Sequence, residues 1–147
     1  MTLENLLAIH RLQRFEVDAA DIQRLIVAAA RNLQDGRLNE LSTENRFDAA
    51  YKAIMQCAML GLWANGYRVS TNQPGHHQTA IQALPKSMGV AQDTVIVLDA
   101  LRKRRNPSDY EGDSVSQAIL DECLIQAESL LDHTRSWLRK AHPEWRV

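Results

Sequence analysis

Apolar side chains recur every three to four residues along most of this chain, which is the spacing of one face of an α-helix. The clearest stripe starts after Asp18, a residue type that caps helix N-termini, and stops before Gly36, a residue type that ends helices. No useful length of chain alternates apolar and polar positions, so a sheet is not expected. The helices predicted from these signals cover residues 3–12, 18–34, 42–64, 76–84, 92–105 and 114–141.

The third predicted helix, capped by Ser42, is apolar around most of its circumference in its second half. Met55, Met59 and Trp63 lie there outside the ordinary core stripe of Tyr51 and its neighbours. Such a helix is buried on several sides, either because it is central or because a second subunit covers its outer face. We favour the second interpretation and predict a homodimer.

The length of 147 residues predicts one domain, residues 1–147, with a core large enough to need no disulfide or metal. Hydrophobic residues make up 45% and charged residues 24%, which is typical of a globular protein. We therefore predict an all-α, up-and-down helical bundle with four long helices and one or two short ones.

Charge and cysteine content narrow the class of protein further. A net charge of −1 argues against polyanion binding by the whole surface, so any contact with nucleic acid must come from a local patch. Cys57 and Cys123 both stand among apolar helical residues and suggest a reducing compartment. No signal peptide or membrane span is evident, and we expect a cytoplasmic protein without a membrane partner.

The candidate patch is a run of four cations, Arg102, Lys103, Arg104 and Arg105, at the end of the helix over 92–105. Arg105 follows Leu101 by four residues and so shares the inward stripe, whereas Arg102 and Lys103 are rotated away and should be more exposed. The following Asn106-Pro107 pair predicts a helix end at Arg105.

This helix end would turn the chain so that Tyr110 faces back towards Arg105. A simpler alternative is a basic helix C-terminus that is favoured by the helix dipole alone.

Several short motifs follow one another along the second part of the chain. In order they are Ala49-Ala50-Tyr51, Gly66-Tyr67-Arg68, Gly75-His76-His77, Leu101-Arg102, Arg105-Asn106 and Asp109-Tyr110. This order resembles the HEPN (higher eukaryotes and prokaryotes nucleotide-binding) superfamily. The resemblance covers about residues 42–141, with the helices of residues 1–36 packed onto that part.

The resemblance implies a helical bundle dimer with the arginine motifs near the subunit interface. Many HEPN domains are metal-independent ribonucleases of toxin–antitoxin, phage-defence and CRISPR systems, and others are non-catalytic partners of nucleotidyltransferases. The resemblance also implies catalytic roles for Arg105, Asn106 and the residue at position 110. It further implies that the neighbouring cations bind RNA and that no cofactor takes part.

Position 110 departs from the family pattern, because Tyr110 stands where active members carry a histidine that acts as acid or base. A phenol with a pKa near 10 is ionised in only about one molecule in a thousand at pH 7, so it is a poor base. Residual RNA cleavage, binding without chemistry, and a structural Tyr110–Arg105 contact all remain open. A helical dimer unrelated to HEPN, with a merely solvated cation cluster, is a further alternative.

Among the other polar residues, His77 is kept as a candidate RNA-binding residue, because a long turn-rich loop over 66–75 precedes it and could place it beside the arginine motif. A helix-start histidine that only caps or packs is the alternative. His76 and His77 diverge on a helix, and no Glu-x-x-His pair or glycine-rich phosphate loop occurs, so no metal site is predicted.

Overall fold

The structure, a computed structural model, describes residues 1–110, 112 and 114–147, and of residues 106–110 it describes the backbone alone. The described residues form four long and three short helices, which confirms the predicted all-α helical bundle and its four long helices. The number of short helices is one more than the prediction allowed. The long helices are α2 (Ala19–Gly36), α3 (Thr43–Ala64), α6 (Gln92–Tyr110) and α7 (Gln117–Ala141). The short helices are α1 (Leu3–Ala8), α4 (His76–Gln82) and α5 (Leu84–Met88), and a single 3-10 turn covers Pro143–Trp145. No helix in this described part of the chain is both long and apolar enough to cross a bilayer.

Helix α3 lies at the centre of the bundle. It packs against α2 and α7 and also against α4, α5 and α6. Phe47, Ile54 and Leu60 are fully buried on it, and Met55 is 6% exposed. The central position accounts for the burial of Met55, whereas Met59 and Trp63 are half-buried. The homodimer stays a prediction.

Gly61 allows α5 to approach α3 closely. A Cβ atom at this position would lie 2.8 Å from Ser87 Oγ and 2.9 Å from Met88 Cγ, and both side chains are buried. We expect Gly61→Ala to lower the free energy of unfolding by about 1–2 kcal/mol, because overpacking outweighs the gain in helix propensity. Urea denaturation measures this loss. The exposed Lys52→Ala change on the same helix should stay within about 0.5 kcal/mol, and equal stability of the two variants would contradict the prediction.

A two-stranded antiparallel sheet, which the sequence did not predict, ties the N-terminal segment to the loop after α3. Strands β1 (Leu12–Arg14) and β2 (Tyr67–Val69) pair with Leu12 opposite Val69. Helix α1 ends at Ala8 instead of continuing to residue 12, and His10 has a positive φ of 63°. Strands of three residues are too short to show an alternating pattern in the sequence.

Helix α6 continues through Pro107 to Tyr110, so the predicted end at Arg105 is wrong. Proline removes one backbone donor and biases the preceding residue away from the helix, but it does not forbid a helical turn. The predicted turn of the chain back towards Arg105 is therefore also wrong.

Three further boundaries differ from their predictions for local reasons. Helix α7 begins at Gln117 and not at the predicted residue 114. Ser116 is its cap, because Ser116 Oγ accepts a hydrogen bond from Ile119 N at 3.2 Å. Helix α4 ends at Gln82 and not at the predicted residue 84, and α5 begins at Leu84, because Pro85 lies in the first turn of α5, where proline is tolerated. Helix α2 continues two residues beyond the predicted end at residue 34, and Gly36 is its last helical residue. A Cβ atom at this position would lie 3.1 Å from the carbonyl oxygen of Arg46, so glycine allows α3 to lie close to this helix end.

Candidate functional site

Three helices meet at the side chain of Tyr51 on α3. The phenol is 2% exposed, and its hydroxyl oxygen lies 3.2 Å from His77 Nδ1 on α4. The guanidinium carbon of Arg105 on α6 lies 5.4 Å from the centre of the same ring, within cation–π range. The structure thus brings His77 and Arg105 to one side chain. We call Tyr51, His77 and Arg105 the phenol cluster.

The loop before α4 brings His77 to this position. Gly75 precedes the helix with a positive φ of 78°, a backbone conformation that glycine adopts without strain. Arg11 donates a hydrogen bond to the carbonyl oxygen of Pro74 at 3.4 Å, and Thr79 Oγ1 donates to that of Gly75 at 3.2 Å. The imidazole of His76 packs edge-on against that of His77, with the ring centres 4.8 Å apart.

Three of the four cations in the run on α6 lie close to carboxylates of the same chain. Arg102 Nε lies 2.8 Å and Lys103 Nζ 3.5 Å from the carboxylate of Asp99, one turn earlier on the helix. Arg105 Nε lies 3.4 Å from Asp48 Oδ1 on α3, which is long for a charge-assisted hydrogen bond.

The exposed fractions of these side chains correct one expectation. The side chain of Lys103 is 69% exposed and that of Arg105 is 21% exposed, as their helix positions indicated. Arg102 is only 17% exposed, so its predicted exposure was wrong: the ion pair with Asp99 holds it back along the helix. Arg104 is exposed and donates to the carbonyl oxygen of Ser114 at 3.4 Å.

Two residues of the predicted site lie outside the described side chains. Asn106 and Tyr110 belong to the part of α6 for which the backbone alone is described. The predicted approach of the Tyr110 side chain to Arg105 thus remains a prediction.

The surroundings of the phenol cluster favour neutral forms of Tyr51 and His77. Burial raises the pKa of Tyr51 to about 12, although the charges of Arg105 and Arg102 oppose this shift. Burial also lowers the pKa of His77, and His76, Arg105 and Arg102 lower it further. At neutral pH the cluster therefore combines a protonated phenol, an uncharged imidazole and a fixed cation.

The pKa of Asp99 is lowered, whereas burial usually raises the pKa of a carboxyl group. Burial on its own would raise the pKa of this carboxyl, but the hydrogen bond and charge of Arg102, with Lys103, outweigh burial and lower it. Asp99 is therefore ionised at neutral pH and partly neutralises the cation run.

Asp48 and Asp99 were not predicted from the sequence, and Tyr51 was placed in the core stripe and in a motif of the family resemblance, without a role in the site. Asp99 precedes Arg102 and Lys103 by three and four residues, the spacing of ion pairs on a helix, so that signal was available. Asp48 and Tyr51 reach the site through contacts between helices, which no local spacing reveals.

The lowered pKa of His77 predicts a loss of stability in acid. Between about pH 7 and pH 5 the unfolded chain binds a proton at this residue, with an ordinary pKa near 6.5, more readily than the folded chain does. The free energy of unfolding should therefore fall as the pH falls through this window, and His77→Asn should reduce that dependence. Urea denaturation at several pH values tests this, with His10→Asn as the control at an exposed histidine. An unchanged pH dependence in His77→Asn would contradict the prediction.

Within the described part of the chain, no group of three or more His, Cys, Asp or Glu side chains is placed to hold a metal ion. The chemistry that the phenol cluster offers is phosphate binding by arginine and proton transfer by imidazole. The sequence matches no family of known proteins, and no curated protein is significantly similar to it.

Proposed function

We propose that this chain is a HEPN-like protein of a toxin–antitoxin or defence-type system that binds RNA around Arg105, in the C-terminal half of α6. The observation that carries the proposal is the phenol cluster, in which a half-buried arginine and a histidine from another helix lie against the same tyrosine. Half-buried cations are screened less by solvent than exposed ones, so they interact more strongly with a phosphate.

Arg105 and Arg102 supply the main phosphate contacts in this proposal, and the more exposed Lys103 and Arg104 extend the basic surface along α6. A guanidinium presents a planar set of donors that matches two phosphate oxygens. Asp48, whose Oδ1 lies 3.4 Å from Arg105 Nε, is a carboxylate with which such a ligand would compete.

Equilibrium binding of a fluorescent, mixed-sequence single-stranded RNA tests the proposal. With two to four phosphate contacts, the affinity should fall by roughly 7- to 50-fold between 50 and 200 mM salt, because bound counterions are released from the RNA. Fluorescence anisotropy measures both affinities. Absence of binding at 50 mM salt would overturn the proposal.

A non-catalytic module that partners a nucleotidyltransferase, toxin or antitoxin is the second candidate. The ion pairs to Asp99 and Asp48 favour it, because they give Arg102, Lys103 and Arg105 internal partners that a structural role would require. Absence of RNA binding, together with a stable complex with the product of a neighbouring reading frame, would select this candidate.

The same proposal includes a cytoplasmic homodimer. Met1, Ile9 and Ile96 are 69%, 46% and 61% exposed around a groove of about 810 Å³ that also includes Asp99 and Lys103. A second copy that covers these apolar side chains would lie beside the cation run. Light scattering at micromolar concentration should give twice the chain mass of 16.6 kDa, and the monomer mass would refute the dimer.

A further inference from the structure

We propose that a groove along α2 docks an acidic amphipathic helix of a partner protein. The described residues that line this groove belong to α2, to the segment before it and to α3, and none belongs to α6, which carries the cation run. We call this surface the α2 groove. The proposal goes beyond the proposed function and does not depend on RNA binding.

The α2 groove is long enough for about three turns of a second helix. It has a volume of about 720 Å³. Several residues that line it from α2 recur every three to four positions and so share one face of the helix. They include Ala20, Arg24, Val27, Ala28 and Arg31. The eleven steps from the first to the last rise about 16 Å, which matches about three turns of a helix laid alongside.

Apolar side chains in the α2 groove remain partly exposed to water. Val27 is 58% exposed, and Leu25 and Trp63 are half-buried. Phe15 also lines the groove and packs against Trp63, with the ring centres 5.1 Å apart. A helix that lays its apolar face against these side chains would remove them from water, which is the usual way in which an amphipathic helix binds a groove.

The charged residues of the α2 groove favour an acidic partner. Asp21 lines the groove, but it pairs with Arg24, which also lines it. Arg31 is exposed in the groove, and the guanidinium of Arg68 lies 5.3 Å from the ring centre of Phe15. In the described part of the chain, neither Arg31 nor Arg68 has a carboxylate within ion-pair distance. Acidic side chains beside the apolar face of a docked helix would complement these cations.

The same features argue against two other occupants. A two-fold homodimer brings a patch against its own copy, so the arginines of the α2 groove would meet like charges across the axis. Single-stranded RNA binds apolar surfaces by stacking its bases on open aromatic faces. Here Arg68 covers the ring of Phe15, and that ring is tilted by 53° to Trp63, so the pair does not form a flat platform.

A synthetic peptide tests the proposal. The probe is a fluorescein-labelled helical peptide of about 16 residues, with leucine along one face and glutamate at the flanking positions. Its control carries lysine in place of every glutamate. Fluorescence anisotropy should give a dissociation constant on the order of 10–100 µM for the acidic peptide and binding at least about 10-fold weaker for the basic one.

Substitutions of exposed residues locate the binding surface. Val27→Glu puts a like charge among the apolar contacts and should weaken binding of the acidic peptide by at least about 10-fold. Ile125→Glu is the matched control on α7, where Ile125 is 60% exposed, and should bind like the parent. Val27→Ser provides a second variant, with a smaller loss expected, if Val27→Glu does not fold. Arg24→Glu should weaken binding of the acidic peptide by about 3- to 10-fold and strengthen binding of the basic one.

Several results would overturn the proposal. The first is equal affinity for the acidic and basic peptides, and the second is parental affinity of Val27→Glu for the acidic peptide. Loss of RNA affinity in Val27→Glu would assign the α2 groove to RNA. A dimer in the parent that becomes a monomer in Val27→Glu, measured by light scattering, would assign the groove to a second copy of the chain.

Discussion

Replacement of Arg105 by alanine should weaken RNA binding by roughly 10- to 150-fold, because hydrogen bonds to a charged group contribute about 1.5–3 kcal/mol. Arg105→Lys should also impair binding, since an ammonium is a point charge that cannot reproduce the planar fork of donors. Fluorescence anisotropy with the same single-stranded RNA measures each affinity, and a thermal melt of each variant checks that the fold is retained.

One further variant is a control for the loss of RNA affinity, and a second should change that affinity in the opposite direction. Arg31→Ala removes an exposed cation from α2, a helix that packs on α3 and α7, and should leave binding nearly unchanged. Asp48→Asn removes the carboxylate that competes with phosphate for Arg105 and should strengthen binding. If Arg105→Ala binds RNA as well as Arg31→Ala does, Arg105 has no part in recognition and the interaction-module candidate replaces RNA binding.

Tyr51→Ala should lower the free energy of unfolding by about 3–5 kcal/mol, since it removes a buried aromatic ring from the centre of the bundle. Tyr51→Phe keeps the ring and loses only the hydroxyl and its contact with His77, so its loss should be about 0.5–1.5 kcal/mol. Urea denaturation of both variants gives the two values. A loss in Tyr51→Phe as large as that in Tyr51→Ala would show that the hydrogen bond, not the packing of the ring, dominates at this position.

The long helices could be predicted from local pattern. Helices α2 and α3 begin directly after the caps expected for them, Asp18 and Ser42, and both side chains accept hydrogen bonds from the backbone of the first turn. Such signals lie within a few residues of one another, and they act in the same way wherever the helix is placed. Hence the helical fold class, the order of the long helices and the inward position of Arg105 followed from the sequence.

Local signals were insufficient where two outcomes share one pattern. The apolar circumference of α3 fits a central helix as well as a subunit interface, and only the packing of α2, α7 and α4 to α6 around it shows that the helix is central. The Asn106-Pro107 pair fits a helix end as well as a tolerated proline, and α6 continues through it. Each alternative differs in free energy through contacts with other parts of the chain, which no local window contains.

The candidate site depended on tertiary structure to a greater degree. The sequence by itself determined that four cations follow an apolar stripe and that His77 follows a long loop. Only the fold brought His77 and Arg105, which lie 26 and 54 residues after Tyr51 in the chain, to the same phenol. The physical reason is that this meeting is made by α4 and α6 packing against α3, and packing is a property of surfaces that form only when distant segments are buried together.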